Sequence, residues 1–348
     1  MIHPYHANPL SETSVGWRPY HRKDDWSNCL KIQHLCMQSS LYAEREPRRR
    51  AFRSFLVVVG VLTVSSCQPG NREAVRLRSD CNAGNLTACN QLAIKVQKGE
   101  YILRDPVHAA ELFDKACGGR IGTACASLGL VKQKGTGVKR DSVTARKLFE
   151  QACARNGPEG CAQLGILFRN GAGVPADTGR AVGLFTKACD ASNMTGCAQL
   201  AAHYFSGEGI AADTARAADL FTKSCDAKIP AGCLGLGRMR SAGIVVARND
   251  SIAAELFSTA CNGGDLDGCY ERGRAFEDGR GVRPSFYRAA NYYEEACEDR
   301  HGASCARLAT LYDRGAGVEK DPERAAGLRK QACGYGYTAA CTPAKSAS

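Results

Sequence analysis

Pairs of cysteines at a constant spacing are the residues with the clearest chemistry in this sequence. The chain of 348 residues contains 19 cysteines, and sixteen of them form eight C-x7-C pairs. The first cysteines recur every 36 residues, at Cys81, Cys117, Cys153, Cys189, Cys225, Cys261, Cys297 and Cys333. The second cysteines are Cys89, Cys125, Cys161, Cys197, Cys233, Cys269, Cys305 and Cys341. Cysteines at this density either form disulfides in an oxidising compartment or bind a metal ion.

The spacing favours disulfides. Zinc sites usually have about two to four residues between paired cysteines and add histidine or further cysteine ligands. The 7 histidines do not follow the 36-residue period, so we predict no metal site. The pairing could run within each C-x7-C pair or between pairs, as in Cys89–Cys117. We prefer the first scheme because the second leaves Cys81 and Cys341 without partners.

Other positions that keep the same period indicate helices. A glycine stands ten residues after each of the first seven second cysteines, at Gly99, Gly135, Gly171, Gly207, Gly243, Gly279 and Gly315. Glycine suits the left-handed conformation that ends a helix. Six residues later are side chains that cap helix N-termini, at Asp105, Asp141, Asp177, Asp213, Asn249, Ser285 and Asp321. The pattern predicts two helices per unit, of about ten and about twelve residues, joined by a glycine-marked turn.

The predicted architecture is all-α, a right-handed α/α solenoid of seven full repeats with terminal half-units over residues 73–341, followed by a tail at 342–348. A leucine three residues after the second cysteine, and the small residue beside it, should allow close helix packing. The unit that starts at Cys269 departs from this pattern. It has Arg272 in place of the leucine and Tyr292-Tyr293 in place of Leu-Phe. We interpret these changes as local repacking, with use in a functional groove as the alternative.

One unit also resembles a known family. The segment Gly160–Cys189, which reads G-C-A-Q-L-G-I-L-F-R-N-G-A-G-V-P-A-D and then A-V-G-L-F-T-K-A-C, is similar to the Sel-one-like repeat, a relative of the tetratricopeptide repeat. The added C-x7-C pairs resemble the Helicobacter cysteine-rich protein group. The resemblance spans roughly residues 73–341. It implies pairing within each C-x7-C and, as an alternative function, penicillin binding or weak β-lactamase activity.

No catalytic constellation accompanies this resemblance. The sequence lacks the S-x-x-K motif of serine β-lactamases and also the metalloprotease and nucleotide-binding motifs. We therefore predict no catalytic residue and no cofactor, and regard enzymatic activity as an expectation from resemblance alone. The net charge is +11, but the basic residues of the predicted helices are dispersed and form no aromatic-interleaved stripe, so nucleic acid is not an expected partner.

The amino terminus has the features of an export signal. The basic cluster Arg48-Arg49-Arg50 precedes an apolar stretch at 55–64 and the sequence Val64-Ser65-Ser66-Cys67. A basic segment, a short apolar segment and small residues before a cleavage site are typical of a secretory leader, and the last four residues resemble a bacterial lipobox. We predict a leader and N-terminal extension over residues 1–66, with translation starting at Met37.

The resemblance to a lipobox implies that Cys67 is lipidated and that residues 67–72 form a tether. An ordinary signal peptide without a lipid is the alternative. Gln68 is not the aspartate that retains many lipoproteins at the inner membrane, so we expect the outer membrane. Cys29 and Cys36 fall in the part that is removed.

These observations favour a monomeric binding scaffold in the bacterial envelope, facing the periplasm or the exterior. Its partner would be a protein or peptide held in a concave groove, which the first helix of each repeat lines in related solenoids. The groove candidates are Gln163, Gln199, His203, Tyr204 and Arg307.

Overall fold

The computed structural model describes residues 69–100 and 102–341. These residues form α-helices and one closing 3-10 turn (Thr338–Ala340), and no strand occurs among them. The helices are α1 (Pro69–Asn82), α2 (Leu86–Lys98), α3 (Pro106–Gly118), α4 (Gly122–Lys134), α5 (Ser142–Ala154), α6 (Pro158–Asn170), α7 (Thr178–Asp190), α8 (Met194–Ser206), α9 (Thr214–Asp226), α10 (Pro230–Ala242), α11 (Asp250–Asn262), α12 (Leu266–Asp278), α13 (Phe286–Glu298), α14 (Gly302–Arg314) and α15 (Pro322–Gly334). We call the even-numbered helices A helices and the odd-numbered helices from α3 onward B helices.

The predicted helix ends are confirmed. All seven A helices end at a glycine in the left-handed conformation, from Gly99 at φ 75° to Gly315 at φ 66°. The B helices begin at the predicted caps, and the Asp105 side chain accepts hydrogen bonds from the amides of Val107 and His108 at 3.1 and 3.0 Å. Because these signals are local, the sequence identifies the loop within each repeat.

The helix lengths differ from the prediction. Each helix from α2 to α15 has 13 residues, because the A helices begin three residues before the second cysteine, as at Leu86 before Cys89. The first helix begins at Pro69, inside the predicted tether at 67–72. Proline is favoured in the first turn of a helix because its fixed φ suits that position.

Aromatic rings of the B helices pack on the small residues of the A helices, as the sequence indicated. Phe149 is fully buried, and a Cβ atom added at Gly129 would lie 2.5 Å from its ring. Gly165 has the same relation to Phe185, at 2.6 Å. The small residue therefore sets how closely the two helices of a repeat approach.

Each A helix packs most extensively on the helices before and after it in the chain, and most A helices also contact the A helix of the preceding repeat. Consecutive A helices contact each other directly from α4 through α12, and no pair of consecutive B helices among the described residues packs as extensively. In a curved stack the elements that lie closest together occupy the inner side. The A helices therefore line the inner face of the stacked repeats.

Candidate functional site

Eight disulfides connect successive helices, and they confirm the pairing within each C-x7-C. Each joins the last turn of one helix to the first turn of the next A helix, except the last, which closes on the C-terminal 3-10 turn. The Cα–Cα distances lie between 4.4 and 4.8 Å, within the range that disulfides adopt. The sixteen repeat cysteines thus offer no thiolate for catalysis or metal binding.

The turn inside each disulfide loop contains a residue with positive φ, three positions after the first cysteine. Two of these residues are Arg120 (φ 69°) and Asn156 (φ 56°). The sequence reasoning missed this feature because glycine does not mark it in most repeats. A non-glycine residue in this conformation is uncommon, so the short disulfide loop maintains a turn that the local sequence disfavours.

Basic side chains from the following repeat bind the carbonyl of the first cysteine. Lys115 Nζ donates to the Cys81 carbonyl at 3.0 Å, Arg155 Nη1 to that of Cys117 at 2.9 Å, and Lys187 Nζ to that of Cys153 at 3.1 Å. These carbonyls lie in the last turn of a helix, where the regular intrahelical pattern ends, and those of Cys81 and Cys117 also accept the amides of Gly84 and Arg120 at 3.1 and 2.9 Å. The cations therefore add a second hydrogen bond at the Cys81 and Cys117 carbonyls and link one repeat to the next.

The exposed side of the A helices is the candidate binding surface. We call it the A-helix face and define it by the residues two before and two, five and nine after the second cysteine. In α6 these residues are Glu159, Gln163, Ile166 and Asn170. The four positions fall on one side of a helix with 3.6 residues per turn, and none of the four α6 residues is buried.

Three of the predicted groove residues share one position on this face, the second after the second cysteine. Gln163 Nε2 donates to Glu159 Oε1 at 2.8 Å. Gln199 accepts a hydrogen bond from Arg169 of the preceding A helix. Arg307 lies 3.8 Å from Glu277, and a hydrogen bond with Tyr270 raises its pKa above the ordinary value.

His203 does not lie in the groove. Its side chain is only 2% exposed, and its ring stacks on Phe185 with centroids 5.6 Å apart. Nδ1 lies 2.9 Å from the Glu208 carbonyl oxygen. The position is six residues after the second cysteine and is filled by buried Leu167, Met239 and Leu311 in other repeats. His203 is thus a core residue.

Tyr204 follows one residue later and is half-buried. The Arg216 guanidinium lies 5.7 Å from the centre of its ring and donates to its hydroxyl at 3.4 Å. The tyrosine is therefore held against the following B helix, at a position separate from the A-helix face.

A network of ionic side chains, which the sequence reasoning missed, crosses the A-helix face between α10, α12 and α14. Arg238 lies 3.4 Å from Asp267 and 3.2 Å from Glu271, and His301 Nε2 lies 3.0 Å from Asp267. The Ser304 amide donates to His301 Nδ1, so Nε2 carries the proton and donates to Asp267. This hydrogen bond, with the Arg238 charge, holds the pKa of Asp267 below its usual range despite partial burial.

The Tyr293 substitution noted in the sequence extends this network. The tyrosine ring is fully buried at a position that is phenylalanine in five other repeats, and its hydroxyl donates to Glu277 at 2.7 Å. Burial and this hydrogen bond raise the pKa of Tyr293. Glu277 thus receives a buried hydroxyl from one side and faces Arg307 on the other.

Two further features bear on what the described residues can do. Cys261, Cys269 and Glu295 come within 4.8 Å of one another, but the two sulfur atoms are bonded to each other and are not metal ligands. None of the described helices has the length and apolar character needed to cross a bilayer.

Comparison with known proteins identifies the repeats. The Sel1 repeat family matches residues 86–118, 122–157, 158–193, 195–228, 230–265, 266–301 and 302–333. No curated protein matches the sequence. A Sel1 repeat protein from Oxalobacter formigenes has a similar structure, with a TM-score of 0.55 and 17% identity over 70% of this chain and 96% of that chain.

Two other solved structures are also similar. One is c5321, a protective antigen of uropathogenic Escherichia coli with an SLR fold; it is 24% identical over 77% of this chain, with a TM-score of 0.48. This chain spans 57% of the length of that antigen. The other is Helicobacter pylori cysteine rich protein B, 26% identical over 39% of this chain and 97% of that chain, with a TM-score of 0.31.

The family match covers more than half of the sequence, and its boundaries follow the helix pairs. Each disulfide between consecutive matches joins the end of one to the beginning of the next, as Cys117–Cys125 does. The chain therefore belongs to the Sel1 repeat family.

Proposed function

We propose that this protein is a scaffold of the bacterial envelope that binds a protein or peptide across the A-helix face. One observation carries the proposal. The position three after the second cysteine is leucine in every repeat but one. The preceding position is glutamine in three repeats and varies in the other four, as Gln91, Ser127, Gln163, Gln199, Gly235, Glu271 and Arg307. A constant core beneath a variable outer row is the arrangement expected of a surface adapted to a particular ligand.

The compartment is part of the same proposal. Eight disulfides indicate an oxidising location outside the cytoplasm. We further propose that a signal peptide is cleaved before Cys67, that this cysteine carries the lipid and that the anchor is in the outer membrane. Cys67 lies outside the described residues. Two or more acyl chains would anchor the protein stably.

The predicted lipid has a direct test. Intact-mass measurement of the protein purified from membranes should give a chain that starts at Cys67, with added acyl mass and sixteen hydrogens fewer than the reduced form. A Cys67→Ala variant should lose the acyl mass and leave the membrane fraction. An unmodified Cys67 in the mature protein would contradict the lipid assignment and leave the ligand proposal untouched.

Site-specific photo-crosslinking in intact envelopes tests the ligand proposal. A photo-reactive residue is placed on the A-helix face at Gln163, Gln199 or Arg307. Matched controls place it at exposed B-helix positions, at Lys147 or Asp219. We expect one partner to be captured from the A-helix positions and not from the controls. Capture at equal yield from both sides, or no capture from any A-helix position, contradicts the proposal.

The hypothesis of β-lactam hydrolysis rests only on the family resemblance, and no arrangement of described residues favours it. We do not propose it as a second function. Nitrocefin turnover by the purified protein, lost in a single point variant, would reverse that judgement.

A further inference from the structure

Two crevices open between consecutive B helices, away from the A-helix face. The α11–α13 crevice has a volume of about 410 Å³ and the α13–α15 crevice about 380 Å³. They lie one repeat apart, so Arg272 in the first occupies the position of Leu308 in the second, and Arg288 that of Arg324. The second crevice therefore serves as an internal comparison for the first.

Arg272 is an unusual residue at the base of a repeat. Equivalent leucines are buried, and Leu308 is 2% exposed. Arg272 Nη1 donates to the Ala254 carbonyl at 2.7 Å, but Nε is buried without a hydrogen-bond partner. No described carboxylate lies within 4.0 Å of its guanidinium. A buried donor without an acceptor destabilises a fold, so Arg272 weakens the repeat that contains it.

Aromatic rings hold this arginine together with a second one. The Phe276 and Tyr292 rings stack with centroids 5.7 Å apart. The guanidinium carbons of Arg272 and Arg288 lie 4.7 and 5.4 Å from the centre of the Phe276 ring. Such contacts orient a planar guanidinium without neutralising it. Both cations are thereby positioned at the crevice and remain available to an anion.

The neighbouring crevice shows what an ordinary repeat does instead. There the arginine equivalent to Arg288 is Arg324, and it pairs with Glu294 at 2.7 Å. Leu308 fills the base of that crevice. Arg288 has no such carboxylate among the described residues within 4.0 Å, so the α11–α13 crevice differs from its neighbour in both cations.

We propose that the α11–α13 crevice is a second binding site, which takes the carboxylate of an aspartate or glutamate side chain from an acidic peptide. The lining carries two arginines and one acidic residue, Glu295, so its net charge is one positive charge. This charge suits one carboxylate better than a phosphate dianion. Paired guanidiniums match the planar, bidentate geometry of a carboxylate. The stacked Phe276 and Tyr292 rings offer an apolar wall for the methylene groups of the same side chain.

Calorimetry with the full, oxidised protein tests this site. The probe is a blocked tetrapeptide with one glutamate, and the control peptide has glutamine at that position. We expect the glutamate peptide to bind at least tenfold more tightly. Equal binding of the two peptides, or no binding of the glutamate peptide at millimolar concentration, overturns the proposal.

Variants of the protein locate the binding. Arg272→Leu restores the residue of the other repeats and should reduce affinity at least tenfold, and so should Arg288→Gln, which changes only an exposed side chain. Arg324→Gln removes the matched arginine of the neighbouring crevice and should leave affinity unchanged. Unchanged binding by both Arg272→Leu and Arg288→Gln overturns the proposal, as does an equal loss with Arg324→Gln.

Inorganic phosphate distinguishes a carboxylate site from a general anion site. Phosphate at the concentration of the peptide should displace little of it. Displacement at equal or lower concentration of phosphate overturns the assignment to a peptide carboxylate. Because Arg272 and Arg288 lie outside the A-helix face, these results are independent of the cross-linking experiment on that face.

Discussion

Removal of one central disulfide should cost the fold a predictable amount of free energy. Cys189 and Cys197 close a loop with a sequence separation of 8 residues between α7 and α8. The loop-closure relation for a cross-link of this length gives about 2.5 kcal/mol of stabilisation through the unfolded state. The double variant Cys189→Ala/Cys197→Ala should therefore unfold at lower urea concentration, with a free energy of unfolding smaller by about 2–3 kcal/mol.

The terminal disulfide provides the matched control. Cys333–Cys341 has the same sequence separation, but it ties down only the 3-10 turn at the end of the described chain. Its removal should release that turn and change the global free energy of unfolding by less than about 1 kcal/mol, since terminal segments fray independently.

Urea titrations of the oxidised proteins, followed by circular dichroism, measure both effects. Other positions should remain paired, which a thiol assay on the unfolded variants checks. A central variant as stable as the parent would refute the entropic argument. Equal losses for the central and terminal pairs would refute the claim that the terminal loop unfolds separately.

Three smaller predictions concern single residues. Val245 has φ 62° and is 58% exposed at a position where most other repeats have glycine. Val245→Gly should relieve the strain of the left-handed conformation and raise the free energy of unfolding by about 1 kcal/mol. A lower urea midpoint for this variant would contradict the prediction. His203 has a buried Nε2 without a hydrogen-bond partner, so His203→Leu should stabilise the folded protein by about 1 kcal/mol. Thermal melts measure this change. A loss of stability would show that the hydrogen bond to the Glu208 carbonyl outweighs the cost of the buried Nε2. Asp267 has a lowered pKa, so its contribution to stability is present above the unfolded pKa of about 3.9 and is lost as pH falls through the lower folded pKa. The parent should have a larger free energy of unfolding than Asp267→Asn in urea titrations at neutral pH, and this difference should disappear below about pH 3. A difference that does not vary with pH would argue against the His301 hydrogen bond.

The sequence predicted the parts of the fold that depend on local, repeated signals. The glycine at Gly171 and the cap at Asp177 each act within one turn of a helix, and each cysteine pair spans one short turn between helices, so one chain with seven repeats displays these signals many times. The A helices are longer than the predicted length of about ten residues because the second cysteine lies inside the helix, as Cys89 does in α2. No side-chain signal marks the beginning of these helices consistently.

The candidate site was harder to predict because its contacts join different repeats. Arg238 and Asp267 are 29 positions apart, and only the stacking of α10 on α12 brings them together. The sequence hypothesis assigns His203 to the groove because it lies on the first helix of a repeat, which lines the groove in related solenoids. Comparison with Leu167 and Met239 at the same position in other repeats could have assigned it to the core. Leader cleavage and lipidation at Cys67 stay predictions.

The position of the disulfides determines how the chain responds to a protease. Every C-x7-C bridge except the last spans the turn that leads into the next repeat. A cut inside that turn, such as one between Arg155 and Pro158, leaves both halves covalently joined through Cys153 and Cys161. The loop inside a repeat, such as residues 171–177, has no such bridge, and a cut there separates the chain into two pieces. In a compartment rich in proteases, the survival of the protein as one molecule therefore depends on the loops within its repeats. Each of these loops is closed on its A helix by a backbone hydrogen bond, such as that from the Asp177 amide to the Phe168 carbonyl at 2.9 Å.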